Sequence, residues 1–258
     1  STSNLFTIAR QVSIYGIASI GMTFVILLGD IDLSAGSVIT FVNIVAAYLM
    51  VNSGFSMTGA VLVSLVLAVG IGILNGFLVS TIKIPAIIAT FASQTIFEGL
   101  SYIICGGVPI YGFDERFKII GQGYVGPVPI PVIIMACCFA IGAFILNKTY
   151  FGRFFYAVGG NAEAARLSGI KVENIKYLVY ALAGLFSGLA GIVMLSRTNS
   201  AQPTAGLGYE FDVITCVVLG GVSVTGGIGK ISNVIAGVLI IGILTNGMVL
   251  MNVSTYTQ

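Results

Sequence analysis

Long apolar segments with very few charges between them dominate this chain. Apolar residues make up 57% of its 258 residues and charged residues 8%, whereas an average soluble domain has roughly 25% charged residues. A water-soluble fold of this size cannot bury so much apolar surface. The segments also lack the strict alternation that is typical of barrel strands. The sequence therefore predicts an all-α polytopic membrane protein.

Eight apolar segments are candidates for membrane-spanning helices. They run at approximately 11–29, 36–52, 58–81, 85–105, 128–147, 177–196, 211–226 and 232–251. Most are close to the length of about 20 residues that a spanning helix needs. We expect about eight transmembrane helices, some of them broken, within one transmembrane domain over residues 1–258.

Glycine pairs spaced four residues apart occur in two of these segments. They are Gly72 with Gly76 and Gly184 with Gly188. Such pairs allow two helices to pack closely in lipid. In a chain with 34 glycines the same spacing also arises by chance, so both interpretations stay open at this point.

The distribution of charge predicts which connections face the cytoplasm. The connection 148–176 carries five basic and two acidic residues, whereas 106–127 has no net charge. Basic residues concentrate in cytoplasmic loops, so 148–176 is assigned to the inside and 106–127 to the outside. Alternation along the chain then places Lys83 and Lys230 inside. The basic residues that it places outside are Arg10, Arg116, Lys118 and Arg197.

A short hydrophilic helix is predicted inside the cytoplasmic connection, at residues 159–170. Asn161 can accept hydrogen bonds from the first turn, and Gly169 can adopt the left-handed conformation that ends a helix. The residues between them are good helix formers, and Glu163 and Arg166 are three apart on one face. A charged helix in a short loop between membrane spans suggests a docking element for a soluble partner.

Two stretches interrupt the apolar pattern with hardly any loop. They run at 29–37 and at 220–230, and their sequences are faintly alike, as in transporters that contain two related halves. Irregular backbone at membrane depth is tolerated where it lines a cavity or is buried in protein. The residues that mark these helix breaks are Asp30, Asp32, Ser34, Gly36, Gly220, Gly221 and Gly226.

Carboxylates occur in two closely spaced pairs, Asp30 with Asp32 and Glu210 with Asp212. Such a pair can serve as an acid/base couple or a cation site. Both pairs lie near predicted membrane boundaries, where water or helix amides can satisfy them, and the dipole of a helix favours acidic residues at its N-terminus. We favour the structural interpretation.

Single polar residues inside the spans are candidates for a translocation path. Glu98 lies within the span 85–105, where an ionisable group either faces a cavity or partner or extends to the outer interface. Amide side chains in or near spans can bind a polyhydroxylated solute or tie neighbouring helices together. The path candidates are Asn43, Asn75, Gln94, Glu98 and Asn246.

Several function classes find no support in the sequence. The chain has no His, its four cysteines lack metal-site spacing, and no nucleophile–base pair is evident, so no catalytic or metal-binding residues are predicted. The GxGxxG motif at 121–126 matches a dinucleotide-binding fingerprint but lies in an external loop. The glycine-rich motif at 226–231 lacks the Ser/Thr of a phosphate-binding loop. A net charge of +2 without a basic run gives no reason to expect nucleic acid.

Five ordered motifs are spread along the chain. They are GMTFVIL at 21–27, IDLSAGS at 31–37, GGNAEAARLSGI at 159–170, SAQPTAGLGYE at 200–210 and VVLGGVSVTGGIGK at 217–230. In this order they resemble the membrane-spanning permease of a ribose-type ABC importer, the monosaccharide branch of the superfamily that includes branched-chain amino acid permeases. Asp30 and Glu98 depart from this pattern, since relatives commonly carry Gly and Arg there.

The resemblance implies a set of partners and a division of labour. A permease dimer, made with a second copy or a homologous permease, would be clamped to ABC ATPase subunits and fed by an extracytoplasmic sugar-binding protein. ATP and Mg²⁺ would bind the ATPase, and this chain would bind no cofactor and catalyse no reaction. The solute would be ribose or a related monosaccharide, carried across the cytoplasmic (inner) membrane of a bacterium.

The resemblance also assigns the short hydrophilic helix. Residues 160–170 would be the coupling helix that seats in the ATPase. The residues expected to couple are Gly160, Asn161, Glu163, Ala164, Arg166, Leu167, Ser168 and Gly169. Permeases of this kind have about ten spans, so the outermost two are expected to be absent from this chain.

Alternatives remain beside this interpretation. A permease of the same family could carry another pentose or hexose, or a furanose-like signal. A secondary transporter or channel would work without ATP, and an intramembrane enzyme would need a catalytic group that the sequence does not offer. A scaffolding subunit would never conduct, which the broken spans argue against.

Overall fold

The computed structural model describes the backbone of residues 2–251 and the side chains of residues 6–251. This part of the chain is almost entirely helical, with one small hairpin, so the predicted all-α architecture is confirmed. The helices are α1 (Thr2–Leu27), α2 (Ala35–Val51), α3 (Met57–Ser80), α4 (Ala86–Cys105), α5 (Glu115–Gln122), α6 (Ile130–Lys148), α7 (Tyr150–Gly160), α8 (Ala162–Leu167), α9 (Val172–Thr198), α10 (Tyr209–Leu219) and α11 (Ile231–Leu250). The hairpin pairs β1 (Tyr124–Val125) with β2 (Val128–Pro129).

Each of the eight predicted apolar segments overlaps one of these helices, but the helices differ in length. Six are long and apolar enough to cross a membrane, namely Phe6–Leu27, Met57–Ser80, Ala86–Cys105, Ile130–Lys148, Val172–Thr198 and Ile231–Leu250. Helix α2 has 17 residues and α10 has 11. At 1.5 Å per residue α10 is about 16 Å long, against a hydrocarbon core of about 30 Å. The prediction of a full span at 211–226 is therefore corrected, since α10 ends at Leu219.

Helices α1 and α9 form the centre of the bundle. Of the most apolar 18-residue window, 89% is buried in α1 and 72% in α9, against 33% or less in the other long helices. Small residues allow α9 to pack tightly on α3. A Cβ added to Gly72 would lie 2.1 Å from the carbonyl oxygen of Tyr180, and one added to Gly184 would lie 2.2 Å from that of Ala68. The glycine pairs in α3 and α9 are therefore packing contacts and not chance spacings.

Connections assigned to the same side of the membrane meet at the same end of the bundle. At the inner end, Lys83 pairs with Glu173, with 3.4 Å between Nζ and Oε1. At the outer end, Arg10 donates from Nη2 to the carbonyl oxygen of Gln122 over 2.8 Å. The grouping that charge and alternation predict is thus the grouping that the fold produces.

The first break comprises residues 28–34, between α1 and α2. Asp32 and Ser34 lie in it, and Asp32 Oδ1 accepts hydrogen bonds from the backbone nitrogen and hydroxyl of Ser34 at 2.8 and 2.6 Å. Asn75 Nδ2 donates to Ser34 Oγ over 2.8 Å, and Ser93 donates to Asn75 Oδ1. All four side chains are buried. This network joins the break to α3 and α4, because polar groups removed from water need such partners.

Gly36 does not lie in the break that the sequence predicts for it. It is the second residue of α2, because the helix begins directly after Ser34, whose backbone nitrogen and hydroxyl are hydrogen-bonded to Asp32. A Cβ at Gly36 would come within 2.1 Å of Glu210 Oε2 and 2.5 Å of the carbonyl oxygen of Gly206. The glycine is needed for this close approach of the segment before α10, and not for a turn.

The second break comprises residues 220–230, between α10 and α11. Gly221 and Gly226 have φ of +78° and +84°, which is the left-handed region that favours glycine. Gly220 instead has φ of −70° and packs on α11, where a Cβ would come within 2.7 Å of Val234 Cα. The backbone nitrogen of Gly227 donates to the carbonyl oxygen of Leu27 over 2.9 Å. The second break is therefore anchored on the C-terminal end of α1.

Candidate functional site

The connection between α6 and α9 presents the short helix α8 on the inner end of the bundle. Asn161 caps it, since its side-chain oxygen accepts from the backbone nitrogen of Ala164 over 2.9 Å. Ser168 Oγ donates to the carbonyl oxygen of Ala164 over 2.9 Å, and Gly169 follows with φ of +85°. Local capping chemistry thus makes the helix that the sequence predicts, and Gly160 immediately precedes its cap.

The exposed surface of α8 combines charge with one large apolar side chain. Leu167 is 83% exposed, and no other large apolar residue between 6 and 251 is as exposed. Arg166 reaches Glu163 at 3.2 Å on the same helix and Glu173 at 2.9 Å on α9. Only Ala165 of this helix is buried. An exposed leucine within a ring of charges has the composition of a docking surface.

A junction of backbone atoms connects α7, and through it α8, to the core. A Cβ added to Gly159 would lie 1.7 Å from the carbonyl oxygen of Leu27 and 2.7 Å from the backbone nitrogen of Gly227. Nearby, Tyr156 donates its hydroxyl to the carbonyl oxygen of Gly229 over 2.8 Å, and burial raises the pKa of Tyr156. The C-terminal end of α7 is thus seated on α1 and on the second break. Sequence reasoning missed this junction, and the two adjacent glycines before Asn161 were its only signal.

An ion pair joins the first break to α9. Lys176 Nζ lies 2.8 and 3.1 Å from the two carboxylate oxygens of Asp30. The side chains are 20% and 13% exposed. Asp30 is therefore held in an ion pair, and its partner is a residue that sequence reasoning did not select.

The path candidates occupy several different places in the structure. Asn75 belongs to the buried network at the first break, where it ties helices together. Gln94 and Glu98 instead come together with Glu210, which the sequence paired with Asp212. Gln94 Nε2 lies 3.0 Å from Glu98 Oε1 and 3.1 Å from Glu210 Oε1. We call Gln94, Glu98 and Glu210 the carboxylate cluster.

The two other amide candidates lie on helices α2 and α11. Asn43 is on α2 and fully buried, and neither of its amide atoms has a hydrogen-bond partner among the described residues. Asn246 is on α11, where it is 8% exposed. Helix α11 packs mainly on α1 and α10.

Comparisons with known proteins agree with this architecture. Residues 4–258 match the family described as branched-chain amino acid transport system / permease component. The chain is 45% identical over 257 residues to the ribose import permease protein RbsC of Bacillus subtilis, covering 99% of this chain and 80% of the relative. It is 42% identical over 255 residues to the L-arabinose transport system permease protein AraH of Escherichia coli, covering 99% of this chain and 77% of the relative. No solved structure matches.

The chain therefore belongs to this family of transport permeases. Together with six helices long and apolar enough to cross a membrane, this makes it a multi-pass protein of the inner membrane.

Proposed function

We propose that this member of the permease family is the membrane subunit of an ATP-driven importer that carries ribose or a related monosaccharide into the cytoplasm. The observation that carries the proposal is the exposed surface of α8. It lies at the basic, cytoplasmic end of the bundle, and a soluble ATPase subunit would seat on it through Leu167 and the surrounding charges. ATP and Mg²⁺ would bind that ATPase, and the chain itself would bind neither.

The contacts of α7 and α8 explain how docking can control the path. Gly159 is packed against Leu27 and Gly227, so a displacement of α7 acts on the ends of α1 and of the second break. Arg166 is paired with Glu173 at the start of α9. A displacement of α8 is therefore transmitted to both breaks through packed backbone atoms and ion pairs. Two discrete packings of these breaks would give the inward-facing and outward-facing states.

A second permease, either another copy or a homologue, would cover the face of α10. Helix α10 is too short to cross the bilayer and is followed by the irregular backbone of 220–230. Phe211, Thr215 and Leu219 on α10 are exposed. Irregular backbone cannot face lipid, so another protein surface is needed there. A path between two such faces would be lined by α10 and α4, with the sugar-binding protein delivering solute at the outer end.

The identity of the sugar rests on the relatives. Ribose is the first candidate because the relatives at 42–45% identity include ribose import permeases. L-arabinose is the second, because an L-arabinose permease is 42% identical over nearly the whole chain. Both sugars are pentoses, so one assay can compare them.

Uptake of radiolabelled ribose and L-arabinose tests the proposal. Cells that lack this chain would be compared with cells that carry it, each with and without the ATPase encoded beside it. We expect high-affinity uptake of one pentose that requires both proteins. Uptake that needs the chain but persists without the ATPase would identify a secondary transporter. If the cells take up neither sugar, the chain would instead be a permease for another solute.

Substitutions in α8 test the docking role separately. The double variant Glu163→Ala with Arg166→Ala is expected to insert in the membrane normally but to lose coupling between ATP hydrolysis and uptake. Glu115→Ala with Lys118→Ala is the matched control, because this pair is also exposed and three residues apart but lies on α5 at the outer end. Normal uptake by the α8 variant would contradict the docking role.

A further inference from the structure

The carboxylate cluster has no role in the docking function. We propose that Gln94, Glu98 and Glu210 form a binding site for the hydroxyl groups of the transported monosaccharide, midway along the path. The inference rests on the proposed function, because it names the residues that would meet the solute inside the permease.

Gln94 and Glu98 lie near the middle of helix α4. Gln94 and Glu98 are 8 and 12 residues from the first residue of α4, which is about 12 and 18 Å along a helix of about 30 Å. Glu210 reaches the same depth because the chain enters the bundle as non-helical backbone before the short helix α10 begins at Tyr209. In transporters, solute sites lie near the midplane where helices are broken. Placing an ionisable residue at this depth costs free energy, so such residues mark functional sites.

The cluster has more hydrogen-bond acceptors than donors. The Gln94 amide has two hydrogens, and its bonds to Glu98 Oε1 and Glu210 Oε1 use both. Glu210 is 2% exposed, and its Oε2 atom is buried with no hydrogen-bond partner found among the described residues. Neither glutamate forms a salt bridge within residues 6–251. An unpaired carboxylate oxygen in such a place costs free energy until a donor arrives.

A narrow cleft leads to the cluster. Its lining residues are Thr40, Glu98, Tyr102, Pro203, Thr204 and Leu207. Glu98 is partly exposed there, whereas Glu210 Oε2 lies behind it against Gly36. The Thr40 hydroxyl is already committed, since it donates to the carbonyl oxygen of Gly36 and accepts from the backbone nitrogen of Gly206. Glu98 is therefore the carboxylate that lines the cleft, and separation of α2 from α10 would expose that of Glu210 as well.

This chemistry selects a class of solute. A neutral sugar brings several O–H donors close together, and hydrogen bonds to a carboxylate are stronger than those to a neutral acceptor. Two carboxylates without a cation partner repel an anionic solute such as a sugar phosphate. The cluster therefore fits a neutral polyhydroxylated solute. Gln94 acts as a positioning residue, because it holds the two carboxylates at a fixed separation.

Transport kinetics of the assembled complex test this site. The full chain would be reconstituted in vesicles with its ATPase and sugar-binding protein, and initial uptake rates measured against sugar concentration. We expect Glu98→Gln and Glu210→Gln each to raise KM about ten-fold relative to the wild-type complex. Glu115→Gln, which removes an exposed outer carboxylate on α5, is the control and should leave KM unchanged.

Deoxy analogues of the sugar make the test specific. Removing the hydroxyl that meets Glu98 should raise KM in the wild type and raise it less in Glu98→Gln, because the interaction is already weakened. The contribution of the sugar-binding protein to the analogue's effect on KM cancels in this comparison, because the same binding protein serves the wild-type permease and the variant. Such non-additivity is the signature of a direct contact.

The outcomes separate the two proposals. Wild-type KM in both glutamine variants, or fully additive effects of the analogue and the substitution, would overturn the binding site. Unchanged sugar dependence with a loss of sodium or pH dependence in Glu98→Gln would identify a cation site and also overturn it. If the wild-type complex transported no monosaccharide at all, that result would contradict the proposed function itself, and the binding site that rests on it would be overturned with it. If Glu210→Gln lowered the amount of complex, Glu98→Gln would decide alone.

Discussion

The ion pair between Asp30 and Lys176 gives the sharpest prediction about stability and coupling. Lys176 donates to both carboxylate oxygens, at 2.8 and 3.1 Å, across 146 residues of sequence. With exposed fractions of 20% and 13%, the pair is largely shielded from the solvent that weakens surface ion pairs. It is also the only direct ion pair between the described residues of the first break and α9.

The expected magnitude follows from burial and geometry. Hydrogen bonds to a charged group contribute about 1.5–3 kcal/mol, and removing one partner of a buried pair leaves the other charge uncompensated. We expect Asp30→Asn or Lys176→Gln alone to lower the free energy of unfolding by about 2 kcal/mol. Because both lose the same contact, the double variant should lose about 1–2 kcal/mol less than the sum.

Unfolding in mixed detergent micelles measures these free energies, and a double-mutant cycle gives the coupling energy. Glu115 and Lys118 form the control pair, since the Glu115 side chain is 82% exposed and such pairs contribute at most about 1 kcal/mol. A second assay counts ATP molecules hydrolysed per sugar transported, which should rise in the single variants and fall again in the charge-swapped variant Asp30→Lys with Lys176→Asp. Fully additive single effects, or no recovery on swapping, would refute the reasoning.

Three further predictions concern glycine packing and docking. Gly72→Ala should lower the free energy of unfolding by about 2 kcal/mol in the same detergent assay, because its Cβ would lie 2.1 Å from a carbonyl oxygen of α9. Gly70→Ala on the same helix is the control, since its Cβ would meet open space, and it should be neutral or slightly stabilising. Leu167→Asp should weaken binding of the ATPase roughly ten- to hundred-fold by surface plasmon resonance, as expected for a leucine that loses its burial, without changing thermal stability. Gly159→Ala should raise the ATP hydrolysed per sugar transported, because a Cβ there meets backbone at 1.7 Å. Gly70→Ala, whose Cβ meets nothing within 4 Å, is the control, and equal effects of the two would contradict the junction.

Features that depend on neighbouring residues could be predicted from the sequence. Helix α8 forms as expected, because Asn161 and Gly169 act through capping geometry that is local to the segment. Most of the spans also follow, since hydropathy is a property of each segment alone. The placement of basic residues predicts which connections share an end of the bundle, whereas the assignment of one end to the cytoplasm stays a prediction. The length of α10 was overestimated because its apolar pattern continues through Val222 and Val224, although glycines end the helix.

Contacts between distant residues could not be predicted in the same way. Gln94 and Glu210 are 116 residues apart, and nothing in a span's own sequence says which face meets another helix. Glu210 was therefore paired with its neighbour Asp212, and Gly36 was assigned to a turn. The available signal was the polar character of Gln94 and Glu98 one turn apart on α4, which marks a common face.

The two breaks and the docking helix form one connected unit, and this determines where motion can be absorbed. The second break is anchored on Leu27 at the end of α1, and Gly159 of α7 packs on the same carbonyl oxygen. The first break follows directly after α1 and is fixed to α9 by Lys176. Since α1 and α9 are the most buried of the six long helices, they are the least free of these six to bend. A displacement of α8 must therefore be taken up in residues 28–34 and 220–230, and from there it reaches α2 and α10. Those two helices carry Gly36 and Glu210, so the same movement would open or close access to the buried carboxylate.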